Sequence, residues 1–136
     1  MNSVTTDISS YIAANTSWVP KQGLFVGREP TSPNNVLTIF DTPGIGPLLF
    51  MNNEGRYDYA NIQLRLRHTH YEQGMLGMWE LVELLHGEGN IVIGGSLYTK
   101  IEALDSPALL NWDENNRARI IVNFEIQRRP QAVPET

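Results

Sequence analysis

The sequence predicts an α+β domain, a mostly antiparallel or mixed β-sheet covered on one face by two α-helices and interrupted by a long loop. Three observations carry this expectation. Apolar residues recur at helical spacing in two segments, while several others alternate apolar and polar residues with the period of a half-buried strand. The order helix, three strands, helix, strands then suits helices packed on one side of a sheet. The 136 residues fit a single domain, expected over 1–128, with a flexible C-terminal tail at 129–136 marked by Pro130 and Pro134.

From Ser3 to Ala14, the apolar residues Val4, Ile8, Tyr11 and Ile12 share one helical face, with Ser3 placed to cap the N-terminus and Asp7 in the early turns. Pro20 and Gly23 interrupt the chain before Leu24-Phe25-Val26, a short β-prone run ending in Gly27-Arg28-Glu29-Pro30. Turn formers fill 31–35, and Val36 to Asp41 is rich in β-branched and aromatic residues, so a β-hairpin is expected. Thr42 to Tyr59 follows without a sustained period and with many Gly, Pro and Asn residues. It reads as a long loop carrying Leu48, Leu49, Phe50 and Met51.

The third strand alternates cleanly, with Ile62, Leu64 and Leu66 on the core face and Asn61, Gln63, Arg65 and Arg67 facing solvent or a partner. A second helix is expected from Tyr71 to Leu85, with Met75, Met78, Trp79, Val82 and Leu85 as its apolar stripe and Gly87 as its stop. Ile91 to Leu104 reads as one strand, bulged at Gly94-Gly95, with Leu97, Ile101 and Ala103 inward and Tyr98, Lys100 and Glu102 outward. Asp105 to Arg117 is a turn region. The last strand places Ile120, Val122, Phe124 and Ile126 on one face.

Composition narrows the function. At 41% hydrophobic and 18% charged the chain can build a packed core. With no cysteine, disulfides, thiolate metal sites and cysteine nucleophiles are excluded. The N-terminus lacks the pattern of a signal peptide, and no stretch approaches membrane-spanning length, so no membrane partner is expected. A formal charge of −5 argues against general affinity for nucleic acid.

Motifs of catalysis are missing. There is no G-x-S-x-G elbow and no Walker lysine, and Gly44-Ile-Gly46 and Gly87-Glu-Gly89 are too short for a dinucleotide fingerprint. His68, His70 and Glu72 could in principle approach one metal, but His68 falls in register with a core face and no distant ligand is evident. Glu83 and His86 lack the second motif a di-metal site requires. No enzyme, cofactor or metal is expected. The nearest nucleic-acid reading groups Arg56, Arg65 and Arg67 with Tyr57 and Tyr59 as a basic aromatic patch.

Gly27-Arg28-Glu29-Pro30, Ile39-Phe40-Asp41-Thr42-Pro43-Gly44, Ile62 to Arg67, Leu85-His86-Gly87 and Asp113-Glu114-Asn115-Asn116-Arg117 occur in that order over about residues 5–128. Together they resemble the phage minor capsid or tail terminator family. The resemblance implies a virion protein without catalytic activity, assembled in the host cytoplasm into a hexameric ring at the head-proximal end of a tail. Its implied partners are other copies of itself, the tail tube protein and a head-completion or connector protein. DNA would be cargo passing through the lumen, which the acidic balance suits. A head-closure or stopper subunit of the neck is the alternative structural reading, and a small nucleic-acid-binding accessory protein the alternative of another class.

Contact residues are expected in three places: the loop with Leu48, Leu49, Phe50, Met51 and Arg56; the outward arginines Arg65 and Arg67; and the turn with Asp113, Glu114 and Arg117. Exposed apolar loop residues are costly in a monomer, so a neighbour or the tube would cover them, unless the loop folds back over its own core. The arginines either pair with acidic residues of an adjacent subunit or remain solvated.

Overall fold

A computed structural model describes residues 2–43, 48–49 and 56–129. Helix α1 spans Val4–Asn15, and Ser3 caps it by accepting a hydrogen bond from the Thr6 amide. Strands β1 (Leu24–Val26), β2 (Val36–Thr42), β3 (Leu48–Leu49) and β4 (Arg56–His68) follow. Helix α2 (Tyr71–Leu85) comes next, then β5 (Ile91–Ile93), β6 (Ser96–Ala103), β7 (Ala108–Trp112) and β8 (Ala118–Arg129).

The sheet is mixed, in the order β1-β2-β4-β8-β6-β5, with β3 paired to β4 and β7 to β8. Its two longest strands, β4 and β8, lie antiparallel at the centre, with Leu66 opposite Ile120, Leu64 opposite Val122 and Ile62 opposite Phe124. All six of these side chains are buried and face the helices, so the alternation in the sequence translates directly into one apolar face. Ile8 and Ile12 of α1, with Met78, Leu81 and Leu85 of α2, close over them in one continuous core. Both helices therefore cover the same face.

On the far side of β8 from β4, β6 and β7 follow one another along a single edge: β6 pairs with residues 124–129 and β7 with residues 118–121. In the first turn of α2 the packing is close, since a methyl group on Gly74 would meet Ile120 Cδ1 at 2.7 Å and His68 Cβ at 3.0 Å.

Several expectations are corrected. β1 and β2 form no hairpin but run parallel, Leu24 beside Leu37, because residues 27–35 cross back along the sheet instead of reversing locally. The expected loop from Thr42 to Tyr59 is shorter, since β4 begins at Arg56 and Leu48-Leu49 pairs with Arg56-Tyr57. Phe50 and Met51 lie outside the described residues. On α2, Trp79 is 44% exposed, and Leu81, which the expected stripe left out, is buried in the core.

The single strand expected from Ile91 to Leu104 is a hairpin. Gly94 and Gly95 both take positive φ, as a tight two-residue turn between paired strands requires. The bulge falls instead between Tyr98 and Lys100, so Tyr98 and Ile101 both face inward, while Leu97 is only half-buried. Within the expected turn from Asp105 to Arg117 stands a further strand, β7. Arg129 closes β8, and the rest of the expected tail lies outside the described residues.

Candidate assembly interface

Two buried arginines, Arg67 and Arg117, organise the surface of the sheet away from the core. Arg67 is 2% exposed although it stands on the face opposite Leu66. All five of its N–H groups are used. Nε donates to Asn34 O (3.2 Å), Nη1 to Glu29 Oε1 (3.3 Å) and Pro30 O, and Nη2 to Thr31 O (3.2 Å) and Pro33 O (2.6 Å). This guanidinium is the anchor that holds residues 29–35 against the sheet, where the Ser32-Pro33 peptide is cis. The outward, partner-facing orientation expected of Arg67 is thus corrected: the loop after β1 folds over it.

Arg117 completes the anchor from β8's side. Its Nε donates to Asp113 Oδ2 at 2.6 Å and its Nη1 to Thr31 O at 2.7 Å, while Asp113 Oδ1 accepts from the Asn115 and Arg117 amides. Glu29 Oε1 also accepts from Arg119 Nε at 2.9 Å. Glu114 remains exposed at the tip of the same turn. The Asp113 to Arg117 turn is therefore tied to residues 29–35 across the top of the sheet, which gives this end a defined shape.

A pH dependence follows from Asp113. Burial by itself would raise its pKa, but the amides of Arg117 and Asn115 and the Arg117 guanidinium outweigh burial and hold the carboxyl below its ordinary 3.8. A depressed folded pKa means that the stabilisation is complete above the unfolded value and is lost as pH falls through the folded one. Thermal melts of wild type between pH 6 and pH 2 are expected to fall steeply below about pH 4, and Asp113→Asn should flatten that limb. Parallel melting curves for the two proteins would dismiss the assignment.

Arg65, two residues from Arg67 on the same face, has a different environment. It is half-buried, stacks over the Phe40 ring at 4.6 Å and donates to Gln63 Oε1 at 3.0 Å. Arg67 has no N–H left to offer a phosphate, so it takes no part in a basic patch with Arg65. His68 Nδ1 accepts from the His70 amide, and burial followed by the nearby His70 lowers its pKa. His86 Nδ1 accepts from the Ala103 amide and secures the end of β6. These histidines hold backbone in place, and among the described residues no cluster of three His, Cys, Asp or Glu is placed to bind a metal.

A second buried polar cluster, not foreseen from the sequence, ties α1 to the sheet. Tyr98 Oη donates to Asp7 Oδ2 at 2.5 Å, Asn2 Nδ2 donates to Asp7 Oδ1 at 3.2 Å, and Arg128 Nη1 reaches Asn2 O at 2.7 Å and Asp7 Oδ2 at 3.5 Å. Burial, then the bond to Asp7, pushes the Tyr98 hydroxyl above its usual range. Alternation along β6 points Tyr98 outward, so the only sequence signal was Arg128, which continues the core-face register of Ile120 to Ile126.

The described surface leaves apolar groups open in one region above all. Every residue of β7 is exposed, with Trp112 at 51%, and Leu104, Leu109 and Leu110 join it. On α2, Tyr71, Leu76 and Trp79 are exposed. Large apolar groups gathered in this way mark a surface that a partner covers.

The model of a family described as bacteriophage tail terminator protein matches residues 7–129. A chain from a solved structure described as "Virion of native gene transfer agent (GTA) particle" shares the fold with a TM-score of 0.60 and 9% sequence identity, covering 95% of this chain and 99% of that one. No curated protein matches the chain.

Proposed function

Because the chain belongs to the bacteriophage tail terminator family and is a structural protein of the phage tail, we propose that it forms a ring, hexameric in its closed state, that caps the tail tube and joins the tail to the head connector. The observation that carries this reading is the extent of the family match, residues 7–129, which takes in nearly every element of the fold. The likeness to a virion chain that spans almost the whole of both proteins supports it. The acidic balance of the chain, −5 overall, suits a ring through which DNA must pass without being gripped. Its place would be the neck of the virion, at the head-proximal end of the tail.

The contact residues of this reading are Leu48, Leu49, Phe50, Met51 and Arg56 on the β3–β4 segment, Arg65 on the far face, and Glu114 at the tip of its turn. Arg67, Arg117 and Asp113 act on the interface through the loop they hold in place. Negative-stain imaging tests the function directly: purified protein is added to tails from a phage mutant that lacks this product. Capping of the head-proximal end, uniform tail length and restored joining to filled heads are the expected results. Protein that bound heads alone would replace the terminator reading with a stopper.

Leu49→Ser combined with Phe50→Ser is expected to leave the thermal melt of the isolated chain within about 2 °C of wild type, as for surface substitutions. The same variant should lower joining at least tenfold, as the removal of apolar contacts central to an interface would. A variant that no longer folds would place these side chains in the chain's own core.

A further inference from the structure

An exposed apolar ledge and a two-stranded stem lie at opposite ends of the sheet. The first is a ledge built by β7 and the flank of α2. Leu109 stands opposite Ile120 and Trp112 opposite Ala118, both positions on the helix-covered face, so these two side chains project on the helix side of the edge strand. The Tyr71 ring lies 6.4 Å from that of Trp112. Met75 and Trp79 continue the line at intervals of four residues along α2.

Among the described residues β7 pairs only with β8, leaving its outer backbone edge open. Ala108-Leu109-Leu110-Asn111-Trp112 contains no charge and no proline. An edge strand with none of the devices that discourage pairing is one that the assembled state covers.

The second feature is the stem formed by β3 and β4, where Leu48-Leu49 pairs with Tyr57-Arg56. The last β4 residue paired with β2 is Asn61, so the stem extends beyond β2. It leaves the sheet beside Asp58 and Arg128, whereas the ledge lies beside His68 and Ala118. The eleven residues of β4 from Asp58 to His68 span about 33 Å at strand spacing. A chain does not bring its own stem to its own ledge; a second copy placed head to tail does.

Charge also matches. Arg56 stands in the stem, and Glu72 and Glu114 are exposed beside the ledge, next to Tyr71 and two residues beyond Trp112.

We infer that the β3–β4 stem of one copy docks on the β7–α2 ledge of the next. Such a contact joins two different surfaces, so it repeats around a closed ring without a two-fold axis. This inference rests on the ring reading above and assigns its subunit contact.

The chain has no cysteine, so introduced thiols report on single sites. Chains carrying Leu49→Cys and chains carrying Trp112→Cys are mixed, added to terminator-deficient tails and oxidised mildly; a second mixture uses Leu110→Cys in place of Trp112→Cys. The expected result is a covalent dimer in each mixture, little or none from any variant alone, and a ladder of higher species from a chain carrying Leu49→Cys with Trp112→Cys. Tails that are capped at normal length without any cross-link in either mixture would overturn the contact and leave the terminator function standing. Self-linking of Trp112→Cys chains would overturn it in favour of a two-fold contact. If wild-type protein fails to cap tails, the ring reading fails and this contact fails with it.

Discussion

Arg67→Met is expected to lower the unfolding free energy by about 3–5 kcal/mol, the range for breaking a buried charge pair by removing one partner. The substitution withdraws five donors at once from Glu29 and the four carbonyls of Pro30, Thr31, Pro33 and Asn34. Glu29 keeps Arg119, and Thr31 keeps Arg117, so the segment does not lose every tie. It does lose the group that fixes its shape. Against a typical domain stability of about 5–15 kcal/mol this is a large fraction. Arg65→Met is the matched control. It sits two residues away on the same face, half-buried over Phe40, and should cost about 1 kcal/mol. Urea denaturation of the two variants decides the matter: equal midpoints would mean that Arg67 anchors nothing. Arg67→Lys should not restore the loss, because an ammonium offers three donors from a point and not five from a plane.

Asp7→Ala should be comparably damaging, at about 3–5 kcal/mol, and for a related reason. Asp7 is 1% exposed and accepts from Tyr98, Asn2 and Arg128. Without it Arg128 stays buried beside Asp58 and the Asn2 carbonyl, with its nearest carboxylate on α1 gone. Tyr98→Phe removes a single hydroxyl and should cost about 1–2 kcal/mol. Because both act in one network, the double variant is expected to fall short of the sum of the two. Strict additivity in chemical denaturation would show that Asp7 and Tyr98 are independent and that the cluster is not what holds α1's first turns on β6 and β8. The same crowding explains Gly94, whose left-handed conformation places it against Asp7 and 2.8 Å, measured from an added Cβ, from Asn2 Nδ2.

These two clusters also mark where reading the sequence succeeds and where it stops. Alternation over Ile62 to Leu66 and Ile120 to Ile126 specified the core face of the two central strands, since a strand half-buried on one side must repeat every second residue. The bounds of α2 and the cap on α1 were equally legible, because local spacing and capping chemistry decide them. So was membership of the family, read from motif order.

What alternation does not record is which distant segment covers the other face. Arg65 and Arg67 are indistinguishable in pattern, yet residues 29–35, more than thirty positions away in the chain, bury one and leave the other half-open. The inward turn of Tyr98 depends on a one-residue bulge that shifts the register of β6, and a shift of one residue exchanges the faces of a strand. The parallel course of β1 and the fully exposed edge of β7 likewise depend on pairing partners, not on composition. The sequence by itself determined both helices, the core face of the two central strands and the family. Tertiary structure alone decided which charges are buried, and hence which surfaces remain for assembly, because long-range contacts and not local periodicity choose what lies over each face.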